Sequence, residues 1–293
     1  MSVANLKINV PDIDRSLNFY REILGFRLMG KATDNNALLS HVGNNKNNYL
    51  LQLSRLDESN IKIEGKQSTI QKAGLYHFAI LLPSRRHLAN ILKHLTQKSN
   101  QFYFEGAADH GVSESLYLRD PDSNGVEIYR DRHPSEWTRT GKFQIEMKTD
   151  HLDLKQLIEE SEDPLEWHMS ADTVIGHIHL QVSNLDKSSY FYSKVLGLHN
   201  TCSYPGANFF AADSYHHHIA INTWSGNNIS SADSTQLGLD HFSLNLKSSE
   251  NFEGLIHHME SMKVDVLEKD DIVNSKSFSI LDPDEIKIRI YYQ

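Results

Sequence analysis

The chain has 293 residues, of which 39% are hydrophobic and 23% charged, and its formal net charge is −9. This length suffices for one large domain or for two domains that each have a core. The negative charge argues against nucleic acid and anionic membranes as partners. The single cysteine permits no intrachain disulfide, the N-terminal segment lacks the apolar stretch of a signal peptide, and no run is long enough to span a bilayer. We therefore expect a cytoplasmic protein.

The first half of the chain alternates between strand and helix patterns. Period-2 alternation predicts strands at 6–10, 37–42, 49–53 and 75–82. Helical spacing predicts one helix capped at its start by Asp14 and ended by Gly25, and a second helix over 83–96. A hairpin follows, with strands at 115–119 and 126–129 joined by the turn-forming stretch DPDSNG.

The second half of the chain repeats the first. The helix stretch SLNFYREILGF matches SSYFYSKVLGL at a constant offset of 172 residues, as between Asp14 and Asp186. Further on, LYHFAI is echoed by LDHFSL, and RDPDSNGVEIYR by LDPDEIKIRIYY. The chain therefore contains four modules, numbered 1 to 4 in chain order, and each reads βαβββ.

The four modules suggest a division of the chain into two domains of the α+β class. Modules 1 and 2 are assigned to a first domain, residues 1–133, and modules 3 and 4 to a second, residues 173–293. The segment 134–172 between them does not repeat. We interpret it as a structured connector with a short helix at 154–160.

Four βαβββ modules, with D-x-S, FY and LG in their helices and DPD turns before the last strand, resemble the vicinal oxygen chelate superfamily. That group includes glyoxalases, bleomycin resistance proteins and type I extradiol dioxygenases. Within it, the stretches LYHFAI, ADHGVSE, GHIHLQV and YHHHIAINTW are similar to those of bacterial catechol-2,3-dioxygenase-type proteins. The resemblance covers nearly the whole chain outside the connector, and it implies that pairs of modules form two barrel-like domains.

The resemblance also implies a metal ion, held by residues in the first strands of modules and by a Glu in a last strand. The first strands offer Asn5, His77, His177 and His241, and the last strands offer Glu127 and Arg289. Two His and one carboxylate suit Fe(II), although Mn(II), Ni(II) or another divalent ion would take the same ligands.

Which modules pair decides which of these ligands can meet. Modules 3 and 4 together lack a carboxylate, because their last strand offers Arg289 and an arginine cannot bind a cation. Modules 1 and 2 are one His short. Modules 2 and 3 supply His77, Glu127 and His177, which is a complete set, and the candidate acid–base residues lie in the same two modules. We therefore predict that modules 2 and 3 pair, and that modules 1 and 4 pair.

Two alternative ligands stay open at this point. His241 is a ligand if modules 3 and 4 pair instead. His179 lies on the same strand face as His177 and is its rival; we favour His177 because it follows Gly176 and opens the strand.

The resemblance implies further residues around the metal. His217, within the pattern HHHIA, corresponds to an acid–base His, and His110 and Tyr117 precede the hairpin that carries Glu127. His218 and Trp224 are predicted to contact the substrate. Other aromatic residues are candidates for a wall of the site: Phe78, Tyr129 and Phe210.

The resemblance and these residues together predict an Fe(II) extradiol dioxygenase that cleaves a catechol-like diol with O₂, in aromatic catabolism or quinone detoxification. His217 would accept a proton, Tyr117 would bind the deprotonated oxygen of the substrate, and His110 would protonate the intermediate. One alternative is a glyoxalase-type lyase or thiol transferase, although only Glu127 is placed as a base. Another is a non-catalytic binding protein of the bleomycin-resistance kind. Unpaired module edges also allow a homodimer.

Overall fold

The computed structural model describes residues 1–41, 43, 48–56, 72–162, 167–231, 236–272 and 275–292. Module 1 comprises β1 (Ser2–Val10), α1 (Ile13–Asn18), β2 (Arg27–Leu28), β3 (Asn36–Ser40) and β4 (Leu51–Arg55). Module 2 comprises β5 (Gly74–Leu82), α2 (Arg85–Gln97), β6 (Tyr103–Asp109), β7 (Ser113–Arg119) and β8 (Gly125–Asp131). The connector contains the short helix α3 (Leu154–Glu159).

Modules 3 and 4 follow the same order. Module 3 comprises β9 (Val174–Gln181), α4 (Leu185–Tyr190), β10 (His199–Tyr204), β11 (Ala207–Ala211) and β12 (Ile219–Asn222). Module 4 comprises β13 (Gly238–Leu246), α5 (Ser249–Ser261), β14 (Leu267–Ile272), β15 (Ser275–Leu281) and β16 (Lys287–Tyr292). The predicted βαβββ order is confirmed in all four modules. Val42, the predicted end of one strand, lies outside the described residues.

The first helix begins earlier than the sequence analysis predicted. Asp12, and not Asp14, is the N-cap: its carboxylate accepts a hydrogen bond from the backbone N–H of Arg15. Asp12 has extended backbone angles, as an N-cap requires, whereas Asp14 is already inside the helix. After α1 the chain continues as a π-helical turn over Phe19–Ile23. It then leaves the helix at Gly25, whose φ of 82° suits glycine.

The strands form two eight-stranded sheets, and the fold is α+β. One sheet has the order β14-β15-β16-β13-β1-β4-β3-β2, so it joins modules 4 and 1. The other has the order β10-β11-β12-β9-β5-β8-β7-β6, so it joins modules 3 and 2. The predicted pairing of modules is therefore confirmed. Each sheet draws strands from both 1–133 and 173–293, and the division of the chain into those two domains stays a prediction.

The centre of the second sheet places polar side chains opposite the core. β5 and β9 run antiparallel, with β8 parallel to β5 on its other side. Because side chains alternate along a strand, Phe78 and Ile80 enter the hydrophobic core that both sheets share. His77 faces the other way, as do His177 and His179 on β9. One face of this sheet thus carries a row of imidazoles.

The repeated FY and DPD motifs bond to one another. The hydroxyl of Tyr20 in module 1 donates to Asp120 Oδ2 in module 2 at 2.8 Å. In the second half, the hydroxyl of Tyr192 donates to Asp282 Oδ2 at 2.9 Å. These buried bonds tie module 1 to module 2 and module 3 to module 4, and each of them thus joins the two sheets. The DPD turns therefore have a structural role.

The helices are short. The longest in the described part of the chain, α2 and α5, have 13 residues each. None of the described helices combines the length and the apolar composition needed to cross a bilayer.

Candidate metal centre

Three predicted ligands meet on the polar face of the sheet formed by modules 2 and 3. On β5, Ala79 has Glu127 of β8 as its neighbour on one side and His177 of β9 on the other. His77 lies two residues before Ala79, on the same face. A carboxylate and two imidazoles therefore surround one small residue. Their ligand atoms all lie within 4.8 Å of one another, and all three side chains are buried.

One carboxylate oxygen of Glu127 faces both imidazoles. Glu127 Oε2 lies 3.0 Å from His77 Nε2 and 3.1 Å from His177 Nε2. The other oxygen, Oε1, accepts a hydrogen bond of 2.7 Å from Ser115 Oγ. Ser115 thus fixes the carboxylate so that Oε2 is turned towards the two His.

The hydrogen bonding within this group is incomplete. His177 Nε2 donates to Glu127, but His77 Nε2 is buried without a partner, since its 3.0 Å approach to Oε2 lacks the alignment of a hydrogen bond. A buried polar atom left unpaired costs about 1–3 kcal/mol. A divalent cation between the three side chains would satisfy His77 Nε2, and two imidazoles with one carboxylate are ligands suited to it. The residues present therefore fit a metal ion.

The protonation states suit the same purpose. Burial raises the pKa of Glu127, but His177 and His77 together lower it by more, so the carboxyl pKa lies well below its usual range. Burial lowers the pKa of His177, and the opposing effect of Glu127 is smaller. The carboxylate of Glu127 is therefore ionised, as a metal ligand must be. Because His177 Nε2 donates to it here, binding of a metal through that atom requires the ring proton to move to Nδ1.

The equivalent place in the other sheet lacks this group. There Arg289 stands where Glu127 does, and its Nη2 donates to Ser277 Oγ at 3.1 Å. His241, the alternative ligand, lies in that sheet and bonds through Nδ1 to Asp240 Oδ1 at 2.6 Å. The structure does not bring His241 to the group of His77, Glu127 and His177.

His217 lies beside the group of His77, Glu127 and His177, at the end of a chain of hydrogen bonds. Its ring centroid is 4.2 Å from that of His177. His217 Nδ1 lies 2.8 Å from His216 Nδ1, and His216 Nε2 lies 2.8 Å from Asp131 Oδ1. Because a carboxylate only accepts, His216 Nε2 carries the proton of that bond. A neutral His216 then accepts at Nδ1, so His217 donates from Nδ1 and keeps a lone pair on Nε2.

His110 and Tyr117 form a second pair near His77. His110 Nδ1 lies 2.7 Å from the carbonyl oxygen of Lys148 and must donate to it. In the neutral ring Nε2 then accepts, and the hydroxyl of Tyr117 donates to it at 2.7 Å. Burial and the nearby charge of Glu127 raise the pKa of Tyr117 well above its usual range, so the phenol stays protonated.

A cavity of about 600 Å³ opens onto these side chains. It is lined by residues of modules 2 and 3 and by Met147, Lys148 and Thr149 of the connector. Trp224 belongs to the lining, together with Phe209. The connector is thus one wall of the cavity, which the sequence did not predict.

Some predicted contacts do not reach the cavity. His218 is buried beside His217 but is not among the residues that line the cavity, and its Nδ1 accepts a weak bond from Ala212 N–H. Phe78 and Phe210 are part of the core and not of the wall. In β11 it is Phe209 that lines the cavity, because neighbouring residues face opposite sides. Tyr129 is fully buried, with its ring centroid 5.0 Å from that of His177.

Several residues that shape the site were not singled out in the sequence. They are Ser115, Asp131 and Asn222; the sequence offers His216 only as part of the HHHIA pattern and His179 only as a rival of His177. Ser115 and Asp131 have a sequence signal, since both lie two or four residues from Tyr117 or Glu127 on the same strand faces. The bond between His179 and Asn222 joins residues 43 apart and has no such signal.

The comparison with known proteins agrees with this architecture. The sequence matches the model of the Glyoxalase/Bleomycin resistance protein/Dioxygenase superfamily over residues 2–128 and 174–290. The chain belongs to that superfamily.

Individual known proteins are similar to this chain over most of its length. A catechol-2,3-dioxygenase of Bacillus subtilis (strain 168) is 36% identical over 283 residues, which cover 96% of this chain and 93% of the relative. The crystal structure of glyoxalase I from Zea mays superposes with a TM-score of 0.57 at 16% identity, over 99% of this chain and 92% of that one. A solved Bacillus subtilis protein reaches a TM-score of 0.63 at 12% identity, over 100% and 85% of the two chains. At such identities the likeness to the solved structures concerns the fold alone.

Proposed function

We propose that this protein is a metal-dependent extradiol dioxygenase, which uses Fe(II) and O₂ to cleave the ring of a catechol-like diol. The observation that carries the proposal is the convergence of His77, Glu127 and His177 on one buried point at the floor of a cavity. The relative named catechol-2,3-dioxygenase supports it. Two imidazoles and a carboxylate occupy one face of a metal ion and leave the opposite face for substrates.

The three side chains would hold the ion through His77 Nε2, His177 Nε2 and Glu127 Oε2. Ser115 keeps the carboxylate turned towards the ion, through its bond to Oε1. When bound, the ion supplies open coordination positions and increases the acidity of a diol hydroxyl. Burial, which lowers the pKa of His177, favours its neutral ring, and that ring would bind through Nε2 once its proton has moved to Nδ1.

His217 is placed to accept a proton from the diol. Its Nε2 has a free lone pair when Nδ1 donates to His216, and the side chain lines the cavity. His216 holds this orientation because Asp131 accepts the hydrogen at the far end of the ring. The positive charge that His217 gains is thus offset through His216 by a carboxylate.

Tyr117 and His110 act as a second proton-carrying pair. The hydroxyl of Tyr117 already donates to His110, so its oxygen is free to accept a hydrogen bond from a substrate hydroxyl. A proton that leaves the substrate on this side passes along the bond to His110 Nε2, and the same pair returns a proton to the ring-opened product. The carbonyl of Lys148 keeps His110 in the accepting tautomer.

The test is anaerobic purification with metal analysis, followed by oxygen uptake on addition of catechol, for the wild type and for Glu127→Ala. Iron that copurifies with the wild type, and diol-dependent oxygen uptake that the variant loses, are the expected results. Glu105→Ala is the matched control, because Glu105 lines the same cavity but bonds to Arg119.

Other outcomes favour the alternatives. A protein that binds a divalent ion but consumes no oxygen with any diol would favour a glyoxalase-type lyase or thiol transferase. A protein that binds no metal at all would favour small-molecule binding without catalysis.

A further inference from the structure

His179 is a polar residue in an aromatic part of the cavity wall. It lines the cavity on the same strand face as His177 but is not one of the three converging side chains. Its ring centroid lies 4.9 Å from that of His77 and 5.3 Å from that of Trp224. Tyr76 is a further ring neighbour, at 4.9 Å. His179 therefore stands between the candidate metal centre and the half-exposed Trp224.

The proton of this ring is placed by its neighbours. The backbone N–H of Trp224, which can only donate, lies 3.1 Å from Asn222 Oδ1. This contact identifies the other amide atom of Asn222 as the donor Nδ2, which lies 3.0 Å from His179 Nε2. His179 Nε2 is therefore an acceptor without a proton, and the ring carries its hydrogen on Nδ1.

The Nδ1–H of His179 is available to a ligand. Among the described residues, Asn222 is the one hydrogen-bond partner of the His179 ring. Nδ1 has no partner among them, but it is not one of the fully buried unpaired atoms, so a ligand can reach it. Asn222 itself is fully buried, so the acceptor side of the ring is sealed. The wall thus presents one neutral hydrogen-bond donor among apolar rings.

We propose that His179, in the tautomer set by Asn222, determines specificity by donating a hydrogen bond to a carbonyl-type oxygen on the ring of the diol. This inference rests on the proposed function. A neutral donor among aromatic rings suits an uncharged acceptor more than a carboxylate. The two cations of the cavity lining, Lys148 and Arg119, are already paired with Asp150 and Glu105.

The test compares two catechols of nearly equal size, one with an acetyl group and one with an ethyl group at the same ring position. The comparison is made separately for each of the two possible ring positions. The quantity measured is the ratio of kcat/KM for acetyl over ethyl, within each variant. Dissociation constants measured anaerobically on metal-loaded protein give the same ratio without turnover. In His179→Leu the ratio falls about tenfold relative to the wild type, as expected for one hydrogen bond.

Asn222→Asp makes the sharper variant. A carboxylate cannot donate, so it draws the proton of His179 to Nε2 and leaves Nδ1 as an acceptor, and the acetyl preference falls as in His179→Leu. Nitrogen-15 spectra of the metal-free protein report the tautomer directly, with Nδ1–H in the wild type and Nε2–H in the variant. Asn208→Asp, on β11 and bonded to Ser189, is the matched control.

An unchanged acetyl-to-ethyl ratio in His179→Leu, or a wild-type His179 protonated at Nε2, overturns the proposal. If Asn222→Asp does not fold, as circular dichroism would show, those two measurements still decide. A wild type that binds diols with the predicted ratio but takes up no oxygen refutes the dioxygenase and leaves the role of His179 standing. A wild type that binds no diol refutes both.

Discussion

Removal of Glu127 tests whether the three converging side chains bind a metal. A ligand at 100 times its dissociation constant stabilises a native protein by about 2.7 kcal/mol. For a chain of this size, 1 kcal/mol corresponds to about 2–4 °C in melting temperature. We therefore expect a divalent ion at that concentration to raise the melting temperature of the wild type by about 5–10 °C.

Glu127→Ala should remove most of this shift. Glu127 is the single anion among the three ligands, and its Oε2 faces both imidazoles within 3.1 Å. If its loss weakens binding about 100-fold, the ion sits at its dissociation constant and stabilises by only about 0.4 kcal/mol, or about 1 °C. The metal-induced shift is compared within each variant, because the substitution also changes the metal-free protein.

The assay is thermal unfolding with and without the ion, followed by circular dichroism, for the wild type, Glu127→Ala and Glu105→Ala. The control variant should keep the full shift. A full metal-induced shift in Glu127→Ala would refute the reasoning, because the ion would then be bound elsewhere.

Three further predictions concern the residues around this centre. Tyr117→Phe removes the hydroxyl that donates to His110, and should lower kcat of diol cleavage about 10–100-fold while the melting temperature changes little. His216→Leu removes the acceptor for His217 Nδ1. We expect kcat to fall by a similar factor while KM stays unchanged, and a KM that changes by the same factor as kcat would contradict the assigned role. Burial lowers the pKa of His218 from 6.5 to about 4. Between pH 6.5 and 4 the unfolded chain therefore carries a proton on His218 that the folded chain does not. The free energy of unfolding falls by up to about 3 kcal/mol as the pH drops over this range, and His218→Gln should lessen this loss in urea titrations.

The pairing of modules could be predicted because it followed from chemistry and not from local patterns. The resemblance requires two His and a Glu, modules 2 and 3 offer them as neighbours in sequence, and one sheet joins those two modules. Strand period shows directly that Glu127 faces away from Val126 and Ile128. The positions at which ligands were sought came from the resemblance to the superfamily.

The parts that could not be predicted depend on contacts between distant residues. The tautomers of His217 and His179 are set by Asp131 through His216 and by Asn222, and no spacing rule links these positions. Asp12 and Asp14 are both good N-cap residues, and only the backbone angles chose between them. Phe209 and Phe210 differ in which face they occupy, and the strand boundary decides that.

The nested pairing of the modules has a consequence for the order in which the chain can fold during synthesis. Modules 2 and 3 are neighbours in sequence, so their sheet can close once β12 has been made. Strand β1 pairs with β13, with Ser2 opposite Asn245, and must wait until most of the chain has left the ribosome. Until then β1 presents an unpaired edge on the side that later receives β13, and such an edge is prone to join other chains. We therefore expect the candidate catalytic half to be the early-folding part, and the outer sheet, whose pairing has the longer sequence separation, to form slowly and last.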